Sequence, residues 1–154
     1  MKSVSVCTIK LFIALLLIHA SAVAQPKITP LQQRDIDYGC GCSFHIPPAR
    51  GAKGQQILQW ELDAPAKMRV DGELHQLKVT EIRPRALDSR PERIGDKTIF
   101  NLTAPALSVR AVCTAVQVCK PSDESCESVS YRAVLSVRAK SGTAKINAWA
   151  VCGC

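Results

Sequence analysis

The sequence predicts an all-β domain, a small antiparallel sandwich or barrel clasped by disulfides. Three observations lead there. Between Cys40 and Cys154 apolar residues recur with a period of two, and no segment carries the longer period of a helix. Gly, Pro and Asp punctuate these runs at short spacing, as in sandwiches and barrels built from hairpins. Cys-Gly-Cys occurs twice, at Cys40-Gly41-Cys42 and at Cys152-Gly153-Cys154.

The first residues read as a secretory signal peptide spanning 1–24. Lys2 and Lys10 make a basic start without acids, Leu11 to Ile18 is apolar, and Ala22-Val23-Ala24 supplies a small-x-small cleavage site. The apolar run falls short of the about 20 residues that span a bilayer, so no membrane span is expected after processing. No cysteine directly follows that run, which argues against a lipid-anchored form. The short signal and its cleavage site have a bacterial look, and a periplasmic or extracellular location is expected. Asn101-Leu102-Thr103 is a glycosylation sequon that matters only in a eukaryotic secretory pathway.

Residues 25–39 are polar with two prolines and read as a flexible leader. Residues 40–154 read as a single β domain. Its first strand, Cys40 to Ile46, puts Cys40, Cys42, Phe44 and Ile46 on one face and stops at Pro47-Pro48, because proline cannot donate into a ladder. Ile57–Leu62 follows, with Leu58, Trp60 and Leu62 together. Ala66–Val70 and Glu73–Thr80 flank Asp71-Gly72, a hairpin signal because both turn residues need positive φ. Arg83 to Asp96, rich in proline and charge, reads as a long exposed loop. Thr98–Leu102 resumes the strand pattern. Leu107 to Cys119 is apolar on one face through Leu107, Val109, Ala111, Cys113 and Ala115. A turn at Lys120 to Ser125 leads to Val129–Ala139, whose alternation is the cleanest in the chain. Ser141-Gly142 then turns the chain into Ala144–Cys154.

Loss of the signal removes Cys7 and leaves seven cysteines, which in an exported chain read as a disulfide framework with one thiol over. Residues two apart on a strand face the same way, so each Cys-Gly-Cys offers two sulfurs side by side. Antiparallel pairing of the two motifs matches Cys40 with Cys154 and Cys42 with Cys152. Parallel pairing would match Cys40 with Cys152 and Cys42 with Cys154. Cys119 and Cys126 bracket a turn and form the second bridge candidate, leaving Cys113 as the odd thiol. The alternative is a thiolate site for copper or zinc at Cys40, Cys42, Cys152 and Cys154, with His45 as a possible further ligand. Its one-residue spacing is tighter than that of ordinary zinc modules, and His45 alternates away from Cys42 and Phe44. A third reading is a thiol–disulfide oxidoreductase, but those dithiols usually sit as Cys-x-x-Cys at a helix start.

Motifs for nucleophilic, phosphate-binding or zinc-hydrolase chemistry are missing from the sequence. His75 lies within a strand, and Glu61 and Asp63 lie on a solvated strand face and its end. No cofactor and no catalytic residue is therefore expected. Without the signal the chain carries 18 Lys+Arg against 13 Asp+Glu, a net of +5. That balance suits an acidic protein or an anionic envelope surface, and equally an ordinary soluble surface. Arg83, Arg85, Arg90 and Arg93 form the one local basic cluster and the candidate partner-binding loop, with Asp88 and Glu92 partly neutralising it. No basic stripe interleaves with aromatics, so nucleic acid is not an expected partner. The expectation is a small exported, disulfide-stabilised binding or interaction module, inhibitor-like or envelope-associated.

Overall fold

The computed structural model describes residues 24–47, 54–82, 90–120, 122, 123 and 125–154. Residues 1–23 of the expected signal peptide lie outside the described residues, as do Pro48, Arg83 and Arg85. Nine strands follow one another: β1 (Ile28–Thr29), β2 (Gly41–Ile46), β3 (Gln55–Glu61), β4 (Ala66–Val70), β5 (Glu73–Ile82), β6 (Lys97–Ala104), β7 (Leu107–Gln117), β8 (Ser128–Ala139) and β9 (Gly142–Gly153). Among the described residues the only helical piece is a 3-10 turn at Gln33–Asp35.

Strands β2 to β9 pair antiparallel in sequence order, and β9 returns to pair with β2. The result is an eight-stranded up-and-down barrel, with β1 as an extra strand on the edge of β4. The barrel, rather than the sandwich, forms because each strand pairs with its sequence neighbour and the last strand covers the edge of the first. Closure removes every free edge from the eight strands. Tight turns at Asp71-Gly72, Pro105-Ala106 and Lys140-Ser141 join strands at one end. Asp71 and Gly72 both have positive φ, at 53° and 87°, as the hairpin expectation requires. The longer β5–β6 and β7–β8 connections lie at the other end, beside the cysteines.

An eight-stranded barrel has an interior that side chains can fill. Phe44, Leu58, Met68, Leu77, Leu102, Leu135 and Val137 are fully buried there, and Ala111, Ala133, Ala148 and Ala150 supply the small positions between them. The expected inward phases of β7, β8 and β9 are the observed ones. Leu62 is the exception in β3. It begins the turn after Glu61 and is 68% exposed.

The segment expected as a flexible leader is instead tied down as a strap across the outside of β3 and β4. Ile28 and Thr29 pair with Val70 and Arg69, and the Leu31 amide donates to the Gln56 carbonyl at 2.8 Å. Leu31 is buried, and beneath the strap the outward-facing Ile57 and Gln59 are buried as well. Arg69 reaches Asp35 with two hydrogen bonds, Nε to Oδ2 at 2.6 Å and Nη2 to Oδ1 at 3.1 Å. Lys67 adds an ion pair to Asp37 at 2.6 Å. Alternation singled out Cys40 as the start of order, but the packed domain begins earlier, because β3 carries apolar and amide side chains on its outer face that need a cover.

Candidate functional site

The two Cys-Gly-Cys motifs meet at the seam where β2 and β9 close the barrel. The register sets Gly41 opposite Gly153 and Cys42 opposite Cys152. Cys40 is bonded to Cys154 and Cys42 to Cys152, each pair with its Cα atoms 4.1 Å apart. Opposed residues two apart on antiparallel strands share one pairing type, and the non-hydrogen-bonded type brings Cα atoms to about 4.5 Å, so one register serves both bridges. Backbone bonds flank the seam: Leu62 N–H donates to the Cys40 carbonyl at 2.8 Å and Cys154 N–H to the Glu127 carbonyl at 3.1 Å.

The glycines follow from crowding. A Cβ on Gly41 would collide with the Trp60 carbonyl on β3, and one on Gly153 with the Glu127 carbonyl just before β8. Gly153 also holds a φ of 153°. Neighbouring strands press on the seam from both sides, so the residue between the two sulfurs has no room for a side chain.

Cys119 and Cys126 form the third bridge, at the base of the β7–β8 connection. All six of these sulfurs are engaged pairwise, and a thiolate metal site at the seam would require its four to be reduced. Among the described residues no three of His, Cys, Asp and Glu gather as ligands for a metal ion. His45 lies on the outward phase of β2, opposite Trp149 and Gln56. Partial burial pulls its pKa below the ordinary 6.5, partly opposed by a hydrogen bond with the Gly54 backbone.

Inside the seam a cavity of about 210 Å³ opens at the cysteine end, walled by both bridges and by Trp60, Phe100 and Tyr131. Trp60 packs against Phe44 and Phe100 with ring centroids 5.3 and 4.9 Å away. The described part of the β5–β6 connection, residues 90–96, packs back against this end. Gly95 N–H donates to the Ala115 carbonyl and Ala115 N–H to the Asp96 carbonyl, extending the β6–β7 ladder into the connection. Glu92 accepts a hydrogen bond from the Tyr131 hydroxyl at 2.9 Å, and its second oxygen is buried with no hydrogen-bond partner.

Cys113, the remaining thiol among the described residues, is fully buried. Burial pushes its pKa up to about 12, and the Glu92 charge adds to the shift. Such a thiol stays protonated, which makes it a packing group rather than a nucleophile.

Of the basic cluster, Arg90 and Arg93 lie among the described residues. Arg90 grips Asp96 with both Nη atoms, at 2.7 and 2.8 Å. Those bonds, followed by one from the Arg93 amide, draw the Asp96 pKa down to about 2. Arg90 therefore serves the loop's own conformation, and Arg93 is left exposed.

The sequence reading passed over the more extensive basic feature. Lys78 on β5, Lys97 on β6, Arg110 on β7, Arg132 and Arg138 on β8 and Lys145 on β9 all take outward positions and are all exposed. No Asp or Glu occupies an outward position of these five strands. The signal was present as phase: each of these cations falls out of step with the apolar residues of its strand. In the linear sequence they lie far apart and form no cluster.

Comparison of the chain with protein-family models, with curated proteins and with solved structures finds no match.

Proposed function

We propose that this chain is exported and acts as a non-catalytic binding module, a rigid β scaffold whose partners are acidic proteins or anionic envelope material. The observation that supports this reading best is the division of labour in the barrel. Its interior is packed with apolar side chains and stapled at the closing seam, which leaves the outer faces to make contacts. The positive balance of the chain favours anionic partners, and long-range attraction speeds such encounters. Three bridges agree with an oxidising compartment. Among the described residues no helix is long and apolar enough to cross a membrane.

The test is retention of the purified, oxidised protein on anionic envelope material, scored as salt-reversible co-sedimentation against a charge-neutral matrix. Retention that fades as salt rises supports the reading. Equal retention on both matrices, or none on either, overturns it. Export is tested separately, by fractionating cells that express the full chain and reading the mature N-terminus by mass.

A further inference from the structure

The geometry points to the outer face of β7–β9 as the contact surface, and to a linear anionic polysaccharide as its occupant. This inference rests on the binding-module reading above and names its surface and partner class.

Arg110, Arg132, Arg138 and Lys145 share this face on three adjacent strands, Lys78 and Lys97 continue the positive charge round the barrel, and none of the six is paired with a carboxylate among the described residues. Unpaired cations on one closed sheet repel each other mildly, and an arriving polyanion relieves that while its counterions are released. The outer side of β3 and β4 is different. There Lys67 and Arg69 are already neutralised by Asp37 and Asp35 of the strap, so the free positive field lies on the β5–β9 side.

The arrangement then selects the partner. Arg110 and Arg138 sit diagonally on β7 and β8, since Arg110 faces Ser136 and Arg138 faces Ser108. Lys145 faces Ser136 from β9, which puts it two strands, about 10 Å, from Arg110. Arg110 and Arg138 line a shallow groove of about 330 Å³ with hydroxyl and amide groups from Asn101, Ser108, Ser136 and Thr143. Guanidinium forks bind sulfate, phosphate or carboxylate in two-point fashion, and the hydroxyls between them match a chain that carries hydroxyls between its charges.

A second contact lies along the same strands. Trp149 is 42% exposed on the outward phase of β9, and the Arg132 guanidinium stands 5.6 Å from its ring centroid. Lys145 and Trp149 are four positions apart, about 13 Å at the rise of a strand. A polysaccharide lying along β8 and β9 therefore meets a charged groove and then a flat indole fenced by a cation, on which a sugar ring can stack. An acidic protein would find few apolar anchors around the groove, where a protein interface has its core. A lipid surface would find the cations spread along a barrel wall rather than gathered around an apolar tip.

The experiment is binding of the oxidised full domain to dextran sulfate and to polygalacturonate, with neutral dextran and phosphatidylglycerol vesicles beside them. Two double variants are compared, Arg110→Ser/Arg138→Ser on the face and Lys27→Ser/Arg93→Ser off it, which remove equal charge. We expect salt-sensitive binding to both anionic polysaccharides and none to neutral dextran. The face variant should weaken that binding about tenfold or more, as two charge-assisted contacts imply, and the off-face variant far less. Trp149→Ala should weaken binding without changing its salt dependence. Equal losses in the two double variants would reduce the effect to net charge and overturn the surface. Vesicle binding without polysaccharide binding would overturn the occupant. In both cases salt-reversible retention on envelope material would leave the binding-module reading standing. All substituted positions are exposed, and thermal unfolding of each variant verifies that the barrel is intact.

Discussion

Gly41 and Gly153 face each other across the β2–β9 seam, each flanked by two half-cystines and each pressed by the backbone of a neighbouring strand. The motif is thus a packing solution: two sulfurs reach across the seam, and the residue between them has no side chain.

Gly41→Ala and Gly153→Ala should therefore each destabilise the oxidised domain by about 2 kcal/mol or more through backbone displacement. Urea unfolding at neutral pH measures this, and a loss below about 0.5 kcal/mol, the usual range for surface changes, would contradict the crowding argument.

The two seam bridges close almost the same loop, with sequence separations of 114 and 110. Removing Cys40 and Cys154 together should cost little, because Cys42–Cys152 still closes the chain. Removing all four should cost about 4–5 kcal/mol of chain-entropy stabilisation, in addition to any lost packing. A thermodynamic cycle over the two pairs should show strong non-additivity, and additive losses would speak against a shared loop.

Arg69→Ala should release the strap. Asp35 is buried and its carboxyl is held below its ordinary pKa chiefly by the Arg69 hydrogen bonds. Without that partner it loses its reason to stay in place. Hydrogen exchange should quicken at Leu31 and Asp35 by about tenfold or more, while β7 and β8 amides keep their protection. Unchanged exchange at the strap would show that β1 pairing suffices.

Acid should weaken the cysteine end through Asp96. Its pKa falls from the ordinary 3.8 to about 2 on folding, so the unfolded chain takes up the proton first. The stability from this group is complete above about pH 4 and is lost as pH falls through about 2. Asp96→Asn should remove that part of the pH dependence, as read from urea midpoints between pH 2 and pH 5. An unchanged acid limb would contradict the assignment.

Cys113 should resist iodoacetamide at pH 8 in the folded protein and react once denatured, because its pKa of about 12 leaves little thiolate. Intact mass counts the adducts. Above the ordinary thiol value of 9.0 the unfolded chain loses a proton that the folded chain keeps, so stability falls with rising pH there. Cys113→Ser should cost about 1–3 kcal/mol by burying a hydroxyl among apolar neighbours.

The inward phases of β7, β8 and β9 were legible because period-two alternation is a local property and their inner faces meet one continuous core. The pairing of Cys42 with Cys152 was legible for a related reason, since antiparallel strands permit one matching of two equal motifs. The β5–β6 connection was not. Whether Arg90 faces solvent or Asp96 depends on how the chain folds back over the barrel mouth, and composition cannot express that.

By itself the sequence determined an all-β chain and most of its strand phases, and it marked the paired cysteines as the seam to test, because side-chain alternation and cysteine spacing are written within a few residues. Tertiary structure decided that the sheet closes as a barrel, that residues 25–39 cover β3 and β4, and that the distant Arg110, Arg132, Arg138 and Lys145 share one wall. Those outcomes depend on which strands become neighbours. Neighbourhood is set by closure of the whole sheet and is encoded in no single segment.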